Sequence, residues 1–78
     1  MQTFFVEIKC QLGQTYAVAS ALADREIASE IYSIAGDYDI LAKFHVDMTV
    51  DIGHFVGNKV QTIPGIADTR TIIAFKAF

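Results

Sequence analysis

Two carboxylates, a phenol and a glycine stand together at Gly36-Asp37-Tyr38-Asp39, between the apolar runs Ile27 to Ala35 and Ile40 to Asp47. Glycine tolerates positive φ and an Asp side chain can bond a nearby backbone N–H, so the run has the composition of a tight turn. One Gly and one Asp would suffice for a hairpin. The second carboxylate and the Tyr make this corner a candidate site as well. Asp37 and Asp39 are two positions apart around a turn. That spacing suits bonds to local backbone, or a grip on a ligand's cationic group, better than the sharing of a proton between an acid and a base. Thr69 and Thr71 project from one face of a later strand near its start, although threonine favours strands for its shape alone. Set beside acidic groups near a subunit boundary, their hydroxyls fit a ligand that carries both an ammonium and a carboxylate. An amino acid matches that description.

Other reactive side chains do not form constellations. His45 and His54 lie on different elements with no Cys or His at ligand spacing, and a tetrahedral metal site wants about four ligands. Cys10 closes a strand with no nucleophile motif around it, which fits a small buried hydrophobe. The chain has no Walker loop, dinucleotide fingerprint or nucleophile elbow, so neither a cofactor nor an enzymatic reaction is expected. Exposed aromatics near basic residues are also found in sheet-surface RNA readers, but neither the first nor the third strand carries their basic-glycine-aromatic signature.

Six elements must position the turn and the threonines. Thr3 to Cys10 alternates, with Phe4, Val6, Ile8 and Cys10 on one face and Thr3, Phe5, Glu7 and Lys9 on the other, the period of a half-buried strand. Leu12-Gly13-Gln14 breaks it, and Thr15 is placed to cap a helix through Asp24 whose Val18, Ala21 and Leu22 share a stripe. Ile27 to Ala35 reads as a second strand, paired through the Gly36 turn with a third that alternates Ile40, Ala42, Phe44, Val46 against Leu41, Lys43, His45. A second helix runs from Thr49 or Asp51 as cap to about Ile63, weakened by Gly53 and Gly57 and ended by Pro64-Gly65. The last strand, Ile66 to Ala77, sets Thr69, Thr71, Ile73 and Phe75 opposite Arg70, Ile72, Ala74 and Lys76. The order β-α-β-β-α-β is the split arrangement of ferredoxin-like α+β folds: a four-stranded antiparallel sheet with both helices on one face.

That architecture leaves Phe5, Glu7, Tyr32, Leu41, Ile72 and Ala74 on an uncovered face. The 78 residues form one domain, 1–78, with 53% hydrophobic residues and only 19% charged, against a usual ~45 to 50% and ~25%. Excess apolar surface on so small a domain points to a dimer formed through the sheet face. No apolar run approaches the ~18 residues of a membrane span. The single cysteine fits a reducing compartment, with the cytoplasm as the expected location. Six basic residues against nine acidic give a net charge of −3, the wrong sign for holding a phosphate backbone, so no direct nucleic-acid binding is expected.

Taken in order, Gly36-Asp37-Tyr38-Asp39 entering an apolar strand, then Ile63-Pro64-Gly65-Ile66 closing a helix, then Thr69-Arg70-Thr71, resemble the effector (RAM) domain of the Lrp/AsnC transcription regulators, over nearly the whole chain. The resemblance implies sheet-paired dimers that assemble further into rings, often of four dimers (an octamer), with amino acids bound between subunits near the turn. Carried over residue by residue, it makes Gly36, Asp37, Tyr38, Asp39, Thr69 and Thr71 the ligand-binding positions. Full-length members also carry a helix-turn-helix, and this chain begins at the first effector-domain strand. DNA binding is therefore not carried over, and a stand-alone effector domain is expected, possible partners including a full-length regulator. Two further readings stand beside the sensor. One is a small dimeric ferredoxin-like enzyme of the cofactor-free monooxygenase or isomerase type, with a cleft lined by His45 or His54. The other is a structural module in mixed rings. For the sensor, Asp37→Ala or Asp39→Ala is expected to weaken the ligand response and leave the fold, whereas Gly36→Val damages the turn.

Overall fold

A computed structural model describes all 78 residues and contains β1 (Gln2–Cys10), α1 (Thr15–Asp24), β2 (Glu30–Ser33), β3 (Ile40–Val46), α2 (Ile52–Phe55, continuing as a π-helical turn over Val56–Val60) and β4 (Ile66–Ala74). The strands form one antiparallel sheet in the order β2-β3-β1-β4, so the expected ferredoxin-like α+β sandwich is the fold observed. Register fixes its two faces. Val6 pairs with Ala42 and Thr71, and Phe5 with Lys43 and Ile72. Residues directly opposite one another share a face, so the alternation of each strand is carried across the sheet.

One face is the core. Phe4, Val6, Ile8, Ile40, Ala42 and Phe44 are buried with Val18 and Leu22 of α1 and with Val56, Val60 and Ile63 of the second helical segment and its exit. All thirteen buried residues are apolar, so only their backbone groups, and no polar side chains, need hydrogen-bond partners in the core. Phe4 stacks on Phe44 with centroids 4.9 Å apart, and Phe55 meets both edge-on at 5.8 and 5.7 Å. Across the sheet, Phe5, Glu7, Leu41 and Lys43 are half-buried while Tyr32, Arg70 and Ile72 are exposed. The helices thus cover one face, and the other is open.

Several boundaries differ from the sequence reading. β2 holds only Glu30–Ser33 rather than Ile27 to Ala35, because ladder pairing runs from Glu30 opposite Lys43 to Ser33 opposite Ile40. Ile27 and Ala28 instead pack on the core from the connection that precedes it. β3 stops at Val46 and β4 at Ala74, where its pairing with Thr3 of β1 runs out. Thr15 is not the cap of α1 but its first residue; Gln14 holds the cap position without a side-chain bond. Of the two caps offered for α2, Asp51 is the one in place, accepting the His54 N–H at 3.0 Å. α2 widens after Phe55, so that the Gln61 amide bonds the Val56 carbonyl five positions back, at 2.8 Å, and regular helix ends at Val60 rather than near Ile63.

Candidate functional site

Gly36-Asp37-Tyr38-Asp39 is a turn tied to the central strand, and Asp39 does most of the tying. Its amide donates to the Ile8 carbonyl at 2.9 Å, and its own carbonyl accepts the Ile34 amide at 2.9 Å. The carboxylate Oδ2 accepts the Cys10 amide at 2.8 Å. That last bond falls where the pairing of β1 with β4 shifts register, between Lys9 and Cys10. Such an irregularity disturbs the ladder locally, and the Asp39 side chain supplies an acceptor there. Gly36 has φ +114°, a backbone that L side chains rarely adopt, which gives the glycine its local reason.

Asp37 presents itself differently. Its carbonyl accepts the Lys9 ammonium at 3.1 Å, while its side chain is exposed and makes no hydrogen bond or ion pair. Tyr38 is half-buried, with its ring under the Arg70 guanidinium at 5.3 Å from the centroid. Arg70 in turn donates from Nε to Glu7 Oε1 at 2.7 Å, and that bond, with the Glu7 charge behind it, pushes the Arg70 pKa up. A chain of contacts therefore runs from the turn over the open face to the outer strand.

Thr69 and Thr71 lie on the core side of β4, opposite Ile8 and Val6. Thr69 Oγ1 accepts the Gln61 side-chain amide at 2.7 Å. Thr71 is exposed and its hydroxyl has no partner in the chain. Gln61, Ile66, Ala67, Asp68 and Thr69 line a shallow depression of about 290 Å³. Turn and threonines share one end of the sheet, since Ile40, Ile8 and Thr69 form one cross-strand row. They do not meet: β1 separates them by two strand spacings, about 10 Å. Neither depression on the chain includes Asp37, Tyr38 or Asp39.

Sequence reasoning missed Arg70 and Gln61. Arg70 sits inside the Thr69-Arg70-Thr71 run, and a signal for it existed in the alternation that puts Glu7 and Arg70 on one face. Gln61 had none, because the π-helical turn that carries it to Thr69 has no simple sequence signature. Cys10 is 8% exposed, and burial pushes its thiol pKa up, with the Asp39 carboxylate adding to the effect. The thiolate that a nucleophile requires is thereby disfavoured.

The larger cleft, about 690 Å³, lies at the other end of the sheet, beside the Ala74-Thr3-His45 row. His45 Nδ1 is 2.9 Å from Thr3 Oγ1. No Asp, Glu or Cys lines this cleft.

The fold and its outward-facing polar turn define a small ferredoxin-like domain whose candidate site lies on the surface. The chain belongs to the Lrp/AsnC ligand-binding domain family, whose sequence model matches residues 3–78. The HTH-type transcriptional regulator FL11 of Pyrococcus abyssi is 33% identical over 72 residues, covering 92% of this chain and 47% of the regulator. This chain spans about half the length of the curated relatives it matches. Among solved structures, TTHA0845 from Thermus thermophilus superposes with a TM-score of 0.89 at 28% identity, over 100% of this chain and 98% of that one. A feast or famine regulatory protein from M. tuberculosis, solved complexed with L-methionine, has a TM-score of 0.80 at 20% identity, over 100% of this chain and 52% of that one. At that identity the likeness is one of fold.

Proposed function

We propose that this chain is a non-enzymatic sensor of an amino acid or a related small metabolite, acting in the cytoplasm as an effector and oligomerisation domain for Lrp/AsnC-type transcription regulation. Gly36, Asp37, Tyr38, Asp39, Thr69 and Thr71 are its ligand-binding positions, completed by a neighbouring subunit. The observation that carries the reading is the contrast within the turn. Hydrogen bonds of the Asp39 backbone and carboxylate, and one from Lys9 Nζ to the Asp37 carbonyl, fix it, while the Asp37 carboxylate is left exposed and unpaired. A fixed frame with a free carboxylate suits the capture of a ligand ammonium, since little is lost in ordering it on binding. The free Thr71 hydroxyl suits the polar end of such a ligand. With about 10 Å between the two parts, groups from a second subunit would have to enclose it.

The open face supports self-association into a dimer, and a ring of dimers such as an octamer would bring turns of neighbouring dimers together. A ligand that bridges subunits stabilises the assembly that holds it, by about 2.7 kcal/mol at a hundredfold excess over its Kd, and shifts the equilibrium only by its preference for that state. A full-length Lrp/AsnC regulator is the partner through which this would reach DNA. The regulator relatives and the L-methionine-bound neighbour of the same fold support this direction.

The test is a thermal-shift and calorimetric screen of the standard amino acids, with sedimentation velocity on any that bind. A binding amino acid is expected to raise the melting temperature and favour the larger species, and Asp37→Ala is expected to abolish both effects. A screen without binding would remove the sensor reading. The enzyme alternative has one observation in its favour, the cleft beside His45. That cleft lies on the open face and sheet edge rather than between helices and sheet, and gives His45 no acidic partner, which leaves the sensor the better supported reading.

A further inference from the structure

Lys9 is the one cation that reaches the turn without a carboxylate partner. The ion pairs of the chain are Lys43 with Glu30 and Arg70 with Glu7, and Lys9 belongs to neither. It stands opposite Asp68 across the β1–β4 ladder, but Asp68 Oδ1 accepts the Thr69 amide at 2.8 Å. The Lys9 ammonium instead donates to the Asp37 carbonyl at 3.1 Å. An ammonium has three donors, so two remain for a ligand. Beside it the Asp37 carboxylate is exposed and unpaired. Opposite charges thus stand side by side on a fixed turn without neutralising each other. We propose that Lys9 is the carboxylate contact of the amino-acid site: the ligand's ammonium meets Asp37 and its carboxylate meets Lys9 of the same subunit. This inference rests on the amino-acid reading of the turn.

The spacing fits such a ligand. The carbonyl and carboxylate oxygens of one Asp lie at most about 5 Å apart, which puts the Asp37 carboxylate within about 8 Å of Lys9 Nζ. An amino acid separates its ammonium from its carboxylate oxygens by about 3 Å, and a charge-assisted hydrogen bond at each end adds about 2.8 Å, so a bound zwitterion bridges up to about 8 Å. Arg70, the other cation near the turn, is tied to Glu7 and covers the Tyr38 ring, so its charge is already met. With both main-chain groups of the ligand held at the turn, Thr71 is left to meet the ligand's side chain.

Self-association is compatible with this site. Lys9 is the last residue of β1 before its pairing with β4 shifts register at Cys10, and its ammonium leaves the sheet to reach the turn. A second copy on the open face would wall the site along one side rather than fill it. Such a wall lowers the local dielectric and strengthens both charge contacts.

The experiment is a calorimetric titration of the whole chain, in its assembled state at about pH 6, with the standard L-amino acids and with the carboxamide of each one that binds. At that pH both members of a pair carry the ammonium, whose ordinary pKa is about 8 or higher, and only the acid carries a carboxylate. The acid is expected to bind at least about tenfold tighter than its amide. Lys9 is exposed, and Lys9→Gln keeps a neutral N–H donor while removing the charge. It should cut the preference for acid over amide to below about threefold and leave the amide's own affinity nearly unchanged. Lys9→Arg should preserve most of the preference, and Asp37→Ala should weaken acid and amide alike. If Lys9 only clamps the turn, Lys9→Gln lowers acid and amide by the same factor, and that result overturns the proposal. An acid bound no tighter than its amide, or a preference undiminished in Lys9→Gln, overturns it too, and each of these leaves the amino-acid reading standing. Binding by no amino acid removes that reading and this proposal with it.

Discussion

Replacing Asp39 by alanine separates framework from ligand contact within the turn. The substitution removes the acceptor of the Cys10 amide, a 2.8 Å bond to a carboxylate at a partly buried position. Hydrogen bonds to charged groups contribute about 1.5–3 kcal/mol, and the loss is felt fully when the stranded donor stays away from water. Cys10, at 8% exposure, is such a place. For a domain of this size, each kcal/mol moves the melting temperature by about 4–8 °C, so Asp39→Ala is expected to lower it by on the order of 10 °C. Asp39→Asn keeps an acceptor without the charge and should lose about half as much. Asp37→Ala removes an exposed, unbonded carboxylate and should stay within about 0.5 kcal/mol of the parent. Circular dichroism during thermal and urea unfolding, at fixed protein concentration and without amino acids, measures all three. The reasoning fails if Asp39→Ala melts within about 2 °C of the parent, or if Asp37→Ala falls as far. Weakened ligand binding in Asp39→Ala would then report partly on a loosened turn, which makes Asp37→Ala the cleaner test of ligand contact.

Gly36→Val should destabilise by about 1–3 kcal/mol through backbone strain alone, since φ is +114° and a Cβ there meets nothing within 4 Å; a urea midpoint equal to the parent's would refute it. Phe44→Ala removes the ring stacked on Phe4 at 4.9 Å and should cost about 3–5 kcal/mol, visible as a large fall in the urea midpoint. Acid should weaken the fold by a definite route. The Tyr32 hydroxyl and then Lys43 hold the Glu30 carboxyl below its ordinary value, and the Thr49 amide and hydroxyl do the same for Asp47. A depressed folded pKa contributes stability above the ordinary carboxylate range, near pH 4, that is lost as pH falls through the lower folded values. Stability of the parent should therefore fall below about pH 4, and the Glu30→Gln/Asp47→Asn double variant should show a shallower fall; identical profiles would refute the assignment. Cys10 should react with a disulfide reagent far more slowly in the native protein than after unfolding, because burial raises its pKa; equal rates at neutral pH would contradict that.

Much of the fold was legible because alternation and topology carry it. Phe4, Val6 and Ile8 against Phe5, Glu7 and Lys9 fixed both faces of β1, and the register then extended those faces to β3 and β4. Boundaries were less legible where apolar residues pack on the core from outside a ladder. Ile27 and Ala28 read as strand and are instead packed connection, and no local signal distinguishes the two. Thr15 has the chemistry of a cap, but the chain turns into α1 one residue earlier. Within the turn, composition pointed to Asp37 and Asp39 alike. Only the three-dimensional neighbourhood separates them, since the Cys10 amide approaches from a position 29 residues away in the chain.

The position of β1 explains how one short turn could influence an assembly. Its even residues from Phe4 onward are core, its odd residues lie on the open face, and its last two hold the turn through Lys9 Nζ and the Cys10 amide. Tyr38 touches the same strand indirectly, through Arg70 and its bond to Glu7 in the middle of the open face. Under the proposed function, a ligand that repositions Tyr38 would alter what the Glu7–Arg70 pair offers to a facing subunit. An ion pair enclosed at an interface is far more sensitive to geometry than one in water, because lost attraction is no longer replaced by solvent. Coupling of this kind needs no movement of the hydrophobic core. It requires only that the pair have two arrangements that ligand and partner favour differently, which is the condition any linkage between the two sites must meet.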